Sequence, residues 1–254
     1  MLLTLCACVL LAACTGSDTP SAPPANLRAE VLATLPHDTS AFTEGLEFDG
    51  TTLYEGTGLE GQSQIRITDV STGAVTKKAD LPDPMFGEGI TIVGDKLWQL
   101  TYKDGVAIQR DKNTLAELKR ATYTGEGWGL CHDGKRLVMS NGTDELTFRD
   151  PDTFAQVGSV QVRSGGKSVV DVNELECTPQ GVYANIWKTD RIVRIDPQSG
   201  EVTATVTLTG LLTEQERANT DVLNGIAAVP GTDQFLVTGK NWPKSFRVRF
   251  VTAQ

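Results

Sequence analysis

Histidine is almost missing from this chain: His37 and His132 are the only two. No Cys-x-x-Cys or His-Glu-x-x-His spacing stands around the cysteines, so the nitrogen and sulfur ligands of a zinc site are not gathered anywhere. Basic residues are outnumbered, 23 Lys and Arg against 32 Asp and Glu for a formal charge of -9, and they form no run. Binding to a phosphate backbone needs clustered cations, so a nucleic-acid partner is excluded. The one strongly apolar run, residues 1–14, is too short to cross a bilayer as a helix. A sustained helical period of apolar residues is also lacking, which leaves β structure as the class.

What is present begins with a leader. Residues 1–14 end in Leu11-Ala12-Ala13-Cys14, with no Lys or Arg ahead of them, and are followed by a polar, Pro-rich stretch. This ending resembles a bacterial lipobox, in which the Cys14 thiol would carry the lipid anchor; a plain secretory signal cut nearby is the other reading. The expected layout is a signal segment over 1–14, a linker over 15–25 and one folded unit over 26–254. The expected location is outside the cytoplasm, periplasmic or extracytoplasmic, with the membrane touched only through the lipid. Cys131 and Cys177 are the only cysteines of the folded unit, and in an oxidising compartment they either join in a disulfide or stay as two buried thiols.

The folded unit repeats. Phe42-Thr43-Glu44-Gly45-Leu46, Phe86-Gly87-Glu88-Gly89-Ile90, Gly127-Trp128-Gly129-Leu130, Asn173-Glu174-Leu175 and Asn224-Gly225-Ile226 open similar segments. With Gly45, Gly89, Gly129, Glu174 and Gly225 as anchors, the period is about 45 residues, the length of a four-stranded propeller blade. A second strand follows each anchor, as in Leu53-Tyr54 or Leu97-Trp98, then a third that ends in a turn opened by Asp69, Asp111, Asp150 or Asp196. The fifth segment stops at residue 254 without a fourth strand, while residues 27–35 form an orphan strand ahead of the first. The sequence therefore predicts an all-β, five-bladed β-propeller closed by its N-terminal strand, because pairing the two removes two exposed edges. A surface loop or short helix is expected over 211–221, and a closed ring needs no partner for stability, so a monomer is expected.

Innermost strands line the axis of a propeller, so equivalent residues at one end of them share a funnel. One position before the anchors stand Glu44, Glu88, Trp128, Asn173 and Asn224; at the matching end of the second strands stand Gly58, Tyr102, Gly142, Trp187 and Lys240. Any one Asn or Glu can be read as serving a tight turn. Five polar or indole positions converging on one mouth point instead to a site. A carboxyl among aromatic walls has its charged form disfavoured, which suits acid/base work, and Lys240 would oppose that shift. Trp98 and Tyr54, inside second strands, read as sheet packing.

The ordered strings Phe42–Leu46, Phe86–Gly89, Leu97-Trp98-Gln99, Gly127–Leu130, Asn173–Glu176, Ala184–Trp187, Leu223–Ile226 and Thr238–Lys244 resemble the glutaminyl cyclase (glutamine cyclotransferase) family of plants and bacteria. The resemblance implies peptide or protein substrates with N-terminal glutamine and a reaction without metal or other cofactor. The α-amine attacks the γ-carboxamide, a five-membered lactam closes and ammonia leaves. It implies Glu88 as the acid/base, with Asn173 and Lys240 positioning substrate and polarising its carbonyl oxygen. Phe42, Glu44, Phe86, Trp128, Trp187 and Asn224 would line the substrate pocket. Family members often carry Gln where this chain has Glu44, and a carboxylate there would bind the substrate's ammonium or raise the pKa of Glu88. Two alternatives from other classes remain at this point: a non-catalytic, lipid-anchored binding platform, and a calcium-dependent propeller hydrolase or lactonase built on the two Glu and two Asn.

Overall fold

The computed structural model describes residues 22–253. The signal segment, Cys14 and most of the linker lie outside the described residues.

Blade 1 consists of β2 (Thr43–Asp49), β3 (Thr52–Thr57), β4 (Gln64–Thr68) and β5 (Val75–Asp80), and blade 2 of β6 (Gly87–Val93), β7 (Lys96–Thr101), β8 (Val106–Asp111) and β9 (Glu117–Thr122). Blade 3 holds β10 (Leu130–His132), β11 (Leu137–Met139), β12 (Glu145–Arg149) and β13 (Gln156–Gln161). A two-stranded hairpin that the repeat did not foretell, β14 (Arg163–Ser164) with β15 (Lys167–Ser168), leads into blade 4. That blade is β16 (Val172–Thr178), β17 (Gly181–Ile186), β18 (Arg191–Ile195) and β19 (Val202–Thr207). Blade 5 has β20 (Leu223–Ala228), β21 (Gln234–Gly239) and β22 (Lys244–Thr252), and its outer strand is β1 (Ala25–Pro36), supplied from the start of the chain. β1 runs antiparallel to β22 from Leu27 against Thr252 to Pro36 against Lys244, and its first residues also pair in parallel with β19. The predicted closure is thus what the structure contains. The segment over 211–221 contains the single turn of helix α1 (Glu214–Arg217), capped by Thr213 and Glu216.

The turn at the end of each third strand is one device used four times. Asp69, Asp111, Asp150 and Asp196 each accept two backbone N–H groups from the residues two and three positions on. The fifth residue of each turn takes a positive φ, and at Leu115 and Phe154 the strain falls on apolar side chains. Both are buried at an interface between blades, and that packing offsets the backbone cost.

Adjacent blades share one apolar cluster at each of the five junctions, including Ile65 with Ile90, Trp98 with Leu130, Val138 with Val172, Ile192 with Ile226, and Leu236 with Leu53. Trp98 is fully buried, lies 4.9 Å from Phe154 with the rings tilted, and donates its indole N–H to the Pro151 carbonyl; Tyr54 is likewise core. At the axis the first strands lie against one another in the order of the blades. A Cβ on Gly129 would sit 2.2 Å from the Asn173 carbonyl oxygen, so no side chain fits there. Glu174 takes the anchor position in blade 4. Its two oxygens accept the N–H groups of Leu46 and Ile226 at 3.1 and 2.9 Å, tying three blades together across the axis.

Cys131 and Cys177 form a disulfide between β10 and β16, joining blades 3 and 4. Where β1 turns into blade 1, His37 places Nδ1 2.7 Å from the Trp242 carbonyl and Nε2 2.9 Å from Glu55 Oε1, with both side chains almost fully buried. Thr43 donates to the same Glu55 oxygen. Burial acts to lower the His37 pKa, but the charge and hydrogen bond of Glu55 outweigh it and leave it raised; burial acts to raise Glu55, and His37 leaves it lowered.

Two outcomes are expected. Replacing Cys131 and Cys177 together by Ser is expected to cost about 2–4 kcal/mol in urea unfolding, from the loop the bridge closes. For the clasp, a raised histidine contributes below its ordinary pKa and stops as pH rises through the folded value, while a lowered carboxyl contributes above its ordinary pKa and stops as pH falls. The stability gap between the native chain and His37→Gln should therefore be widest in mildly acidic solution and close towards alkaline pH.

Candidate active site

Five aromatic rings follow one another around one end of the axis. Phe42 meets Phe86 edge-on at 6.1 Å, Phe86 meets Tyr102 at 5.7 Å, Tyr102 meets Trp128 at 6.4 Å and Trp128 meets Trp187 at 5.4 Å. Lys240 extends the arc, with its ammonium 4.6 Å from the centre of the Phe42 ring. Together with Glu44, Glu88 and Asn173 they enclose a cavity of about 150 Å³. A volume of this size holds a benzene-sized group, which suits one side chain of a substrate and no more. Two wider depressions of about 610 and 740 Å³ lie on the flanks of the blades, the first of them reaching Gly58 beside Phe86.

The local sequence explains why the rings fit. A Cβ on Gly58 would come within 2.3 Å of the Phe86 ring, and one on Gly142 within 2.6 Å of the Trp128 indole. The two glycines at the ends of the second strands are therefore the seats on which these rings lie. Tyr102, Trp187 and Lys240 occupy the equivalent ends in other blades and enter the cavity themselves.

The polar floor is ordered. Lys240 Nζ lies 2.6 Å from Glu44 Oε1, and Asn224 donates through Nδ2 to Glu44 Oε2 at 3.1 Å and to the Thr43 carbonyl at 3.0 Å. Glu88 is buried, its Oε2 has no partner, and it lines the same cavity as Glu44. Burial, followed by the negative charge of Glu44, pushes the Glu88 pKa well above the usual carboxylate range against the opposing Lys240. Glu44 is itself raised by burial, to about 7, but carries the lysine directly, so Glu88 is the carboxyl of the pair that keeps its proton to higher pH. Asn173 Oδ1 is buried and unpartnered, available to a substrate N–H.

Eight of the nine residues expected in the pocket line the cavity. Asn224 does not; it is fully buried behind Glu44 and holds that carboxylate in place. Lys240 reaches the cavity already engaged by Glu44. Sequence reading missed Glu126, which accepts the Trp128 indole N–H at 3.0 Å, and the rim cations Lys103 and Lys188, which lie over Tyr102 and Trp187 at 4.6 and 4.0 Å. Glu126 sits in a loop, where the acid two residues before an indole was a signal, and Lys103 and Lys188 directly follow the second-strand ends Tyr102 and Trp187. Among the described residues, no group of three or more His, Cys, Asp or Glu is placed to hold a metal ion.

Gly58→Ala is expected to displace Phe86 and raise KM for substrate several-fold while leaving the unfolding midpoint of the ring nearly unchanged, since neither residue belongs to the apolar clusters between blades. Steady-state kinetics beside thermal unfolding checks it.

The family model for glutamine cyclotransferase matches residues 3–250. The glutaminyl-peptide cyclotransferase of Arabidopsis thaliana is 39% identical over 230 residues, covering 88% of this chain and 72% of the plant protein. The crystal structure of Myxococcus xanthus glutaminyl cyclase superposes with a TM-score of 0.83 at 36% identity, covering 91% of this chain and all of that one, 100%. The β-propeller domain of Myceliophteria thermophila Cps50 (Swd1), with a TM-score of 0.52 at 11% identity over 88% of this chain, shares the fold alone. With its propeller, its ordered motifs and these relatives, the chain belongs to the glutamine cyclotransferase family.

Proposed function

We propose that the cavity closes the N-terminal glutamine of peptides into pyroglutamate and that Glu88 moves the proton. The activity itself, glutaminyl-peptide cyclotransfer, follows from the family, its plant relative and its bacterial structural relative. The observation that supports the role of Glu88 is its buried Oε2, which has no hydrogen-bond partner.

The chemistry needs little beyond folding the side chain back on the amine and handling one proton. The aromatic walls hold the glutamine side chain curled, and Asn173 Oδ1 accepts an N–H of the substrate. The amine nitrogen bonds to the carboxamide carbon, and the carbonyl electron pair moves to oxygen. Glu88 takes a proton from the amine nitrogen and gives one to the amide nitrogen. The carbonyl re-forms, the carbon–nitrogen bond breaks and ammonia leaves, so the enzyme ends in its starting protonation state. The raised pKa moves Glu88 towards that of the α-amine, the direction general acid/base catalysis favours.

Export and lipid anchoring through Cys14 belong to the same proposal. The Cys131–Cys177 disulfide supports an oxidising compartment, and the closed ring supports a monomer. The binding-platform reading gives no reason for two buried carboxyls and a lysine in an aromatic mouth. The calcium reading would need oxygens free to converge, whereas those of Glu44 are taken by Lys240 and Asn224.

Ammonia release with the matching mass loss from a short Gln-initiated peptide is the test, run with and without EDTA. Release in both conditions is expected, and Glu88→Gln is expected to lower turnover by roughly 10²–10⁴-fold in a folded protein. Near-normal turnover in that variant would remove Glu88 from the role.

A further inference from the structure

The site contains two carboxyls and one ammonium, and their contacts are unequal. Glu44 has Lys240 on Oε1 and Asn224 on Oε2, while Glu88, which lines the same cavity, has a buried Oε2 without a partner. The two donors at Glu44 favour its ionised form. Two carboxyls in one small buried cavity do not both stay ionised, as in pairs that share a single proton.

We propose that Glu44 is the fixed negative charge that keeps one proton on Glu88, and that Lys240 serves Glu44 rather than the substrate's carbonyl oxygen. The inference rests on the cyclase reading of the same cavity and adds to it the protonation state in which substrate is received. With Glu44 and Lys240 cancelling and Glu88 neutral, the cavity carries no net charge and takes the α-amine as the free base. An ammonium would have to compete with Lys240 for Glu44. Asn224, held by the Thr43 carbonyl, is a positioning residue for Glu44.

Charged and titratable groups face the pair from several blades, and Glu174 of blade 4 acts on Glu44 from the axis. Glu44 approaches Glu88 from β2, Lys240 from the end of β21, Glu126 from the loop before Trp128, and Tyr123 and Tyr102 from blade 2. Asp221 lies behind Glu44. Glu44 and Glu126 favour the proton on Glu88, and Lys240 opposes it. Replacing Glu44 and replacing Lys240 must therefore act in opposite directions.

The test is a site-resolved titration without substrate, joined to kinetics. Infrared difference spectra of the full chain, compared with those of Glu88→Gln, assign the protonated carboxyl band of Glu88. That band is expected to persist at neutral pH in the native protein, to titrate at least one pH unit lower in Glu44→Gln, and to titrate higher in Lys240→Gln. The alkaline limb of kcat/KM for a Gln-initiated peptide, where the proton for the leaving nitrogen is lost, should move the same way in each variant. An unmoved band in Glu44→Gln, or shifts of the same sign in both variants, would overturn the proposal. If neither variant folds, a native band already lost below pH 6 would do so. Because the spectra need no turnover, failure of the cyclase reading would appear separately, as normal titration without ammonia release.

Discussion

Five sheets can share one axis only if their innermost strands approach more closely than side chains allow. That constraint selects glycine at the anchors of four blades, and Gly129, with no room for a Cβ beside the Asn173 carbonyl, shows how tight the approach is. It also leaves backbone N–H groups facing the axis without strand partners. Glu174 supplies acceptors for two of them. The same close approach fans out the residues one position earlier into the mouth, because a strand alternates its side chains and neighbouring first strands diverge beyond the anchor. The site is thus a by-product of closing the ring: Glu44, Glu88, Trp128 and Asn173 are brought together by the packing that makes the propeller possible.

What surrounds that ring keeps it rigid. The disulfide joins two inner strands, the His37–Glu55 pair secures the junction of blades 5 and 1, and β1 completes the last sheet. A cavity with room for one side chain gains from such a frame, since a shift of an ångström at any wall would change the angle at which the amine meets the carboxamide. The glycine seats under Phe86 and Trp128 carry the same logic to the rings themselves.

Much of this was legible in the sequence because it repeats. The anchors, the Asp turns and the missing fourth strand set the number of blades and the closure, and the position before each anchor named most of the cavity wall. The repeat was silent where the chain departs from it: the β14–β15 hairpin and the Glu126 contact to Trp128. It also could not separate Asn224 from its counterparts. Asn173 and Asn224 occupy equivalent positions, yet one opens into the cavity and the other turns behind Glu44, because a carboxylate in blade 1 recruits the amide beside it. Likewise the sequence placed Lys240 at the mouth but not on Glu44, a pairing between residues at opposite ends of the chain.

The pairing of β1 with β22 has a further consequence, for the order in which the molecule is made. The first strand to be synthesised waits for the last, since Leu35 finds its register partner only at Ser245. Contacts of such separation are slow to form, and until they do blade 5 lacks its outer strand and the ring has an open seam. A ribosome-bound chain therefore has its blade junctions available one after another but never the finished disc, and only a full-length chain can acquire it.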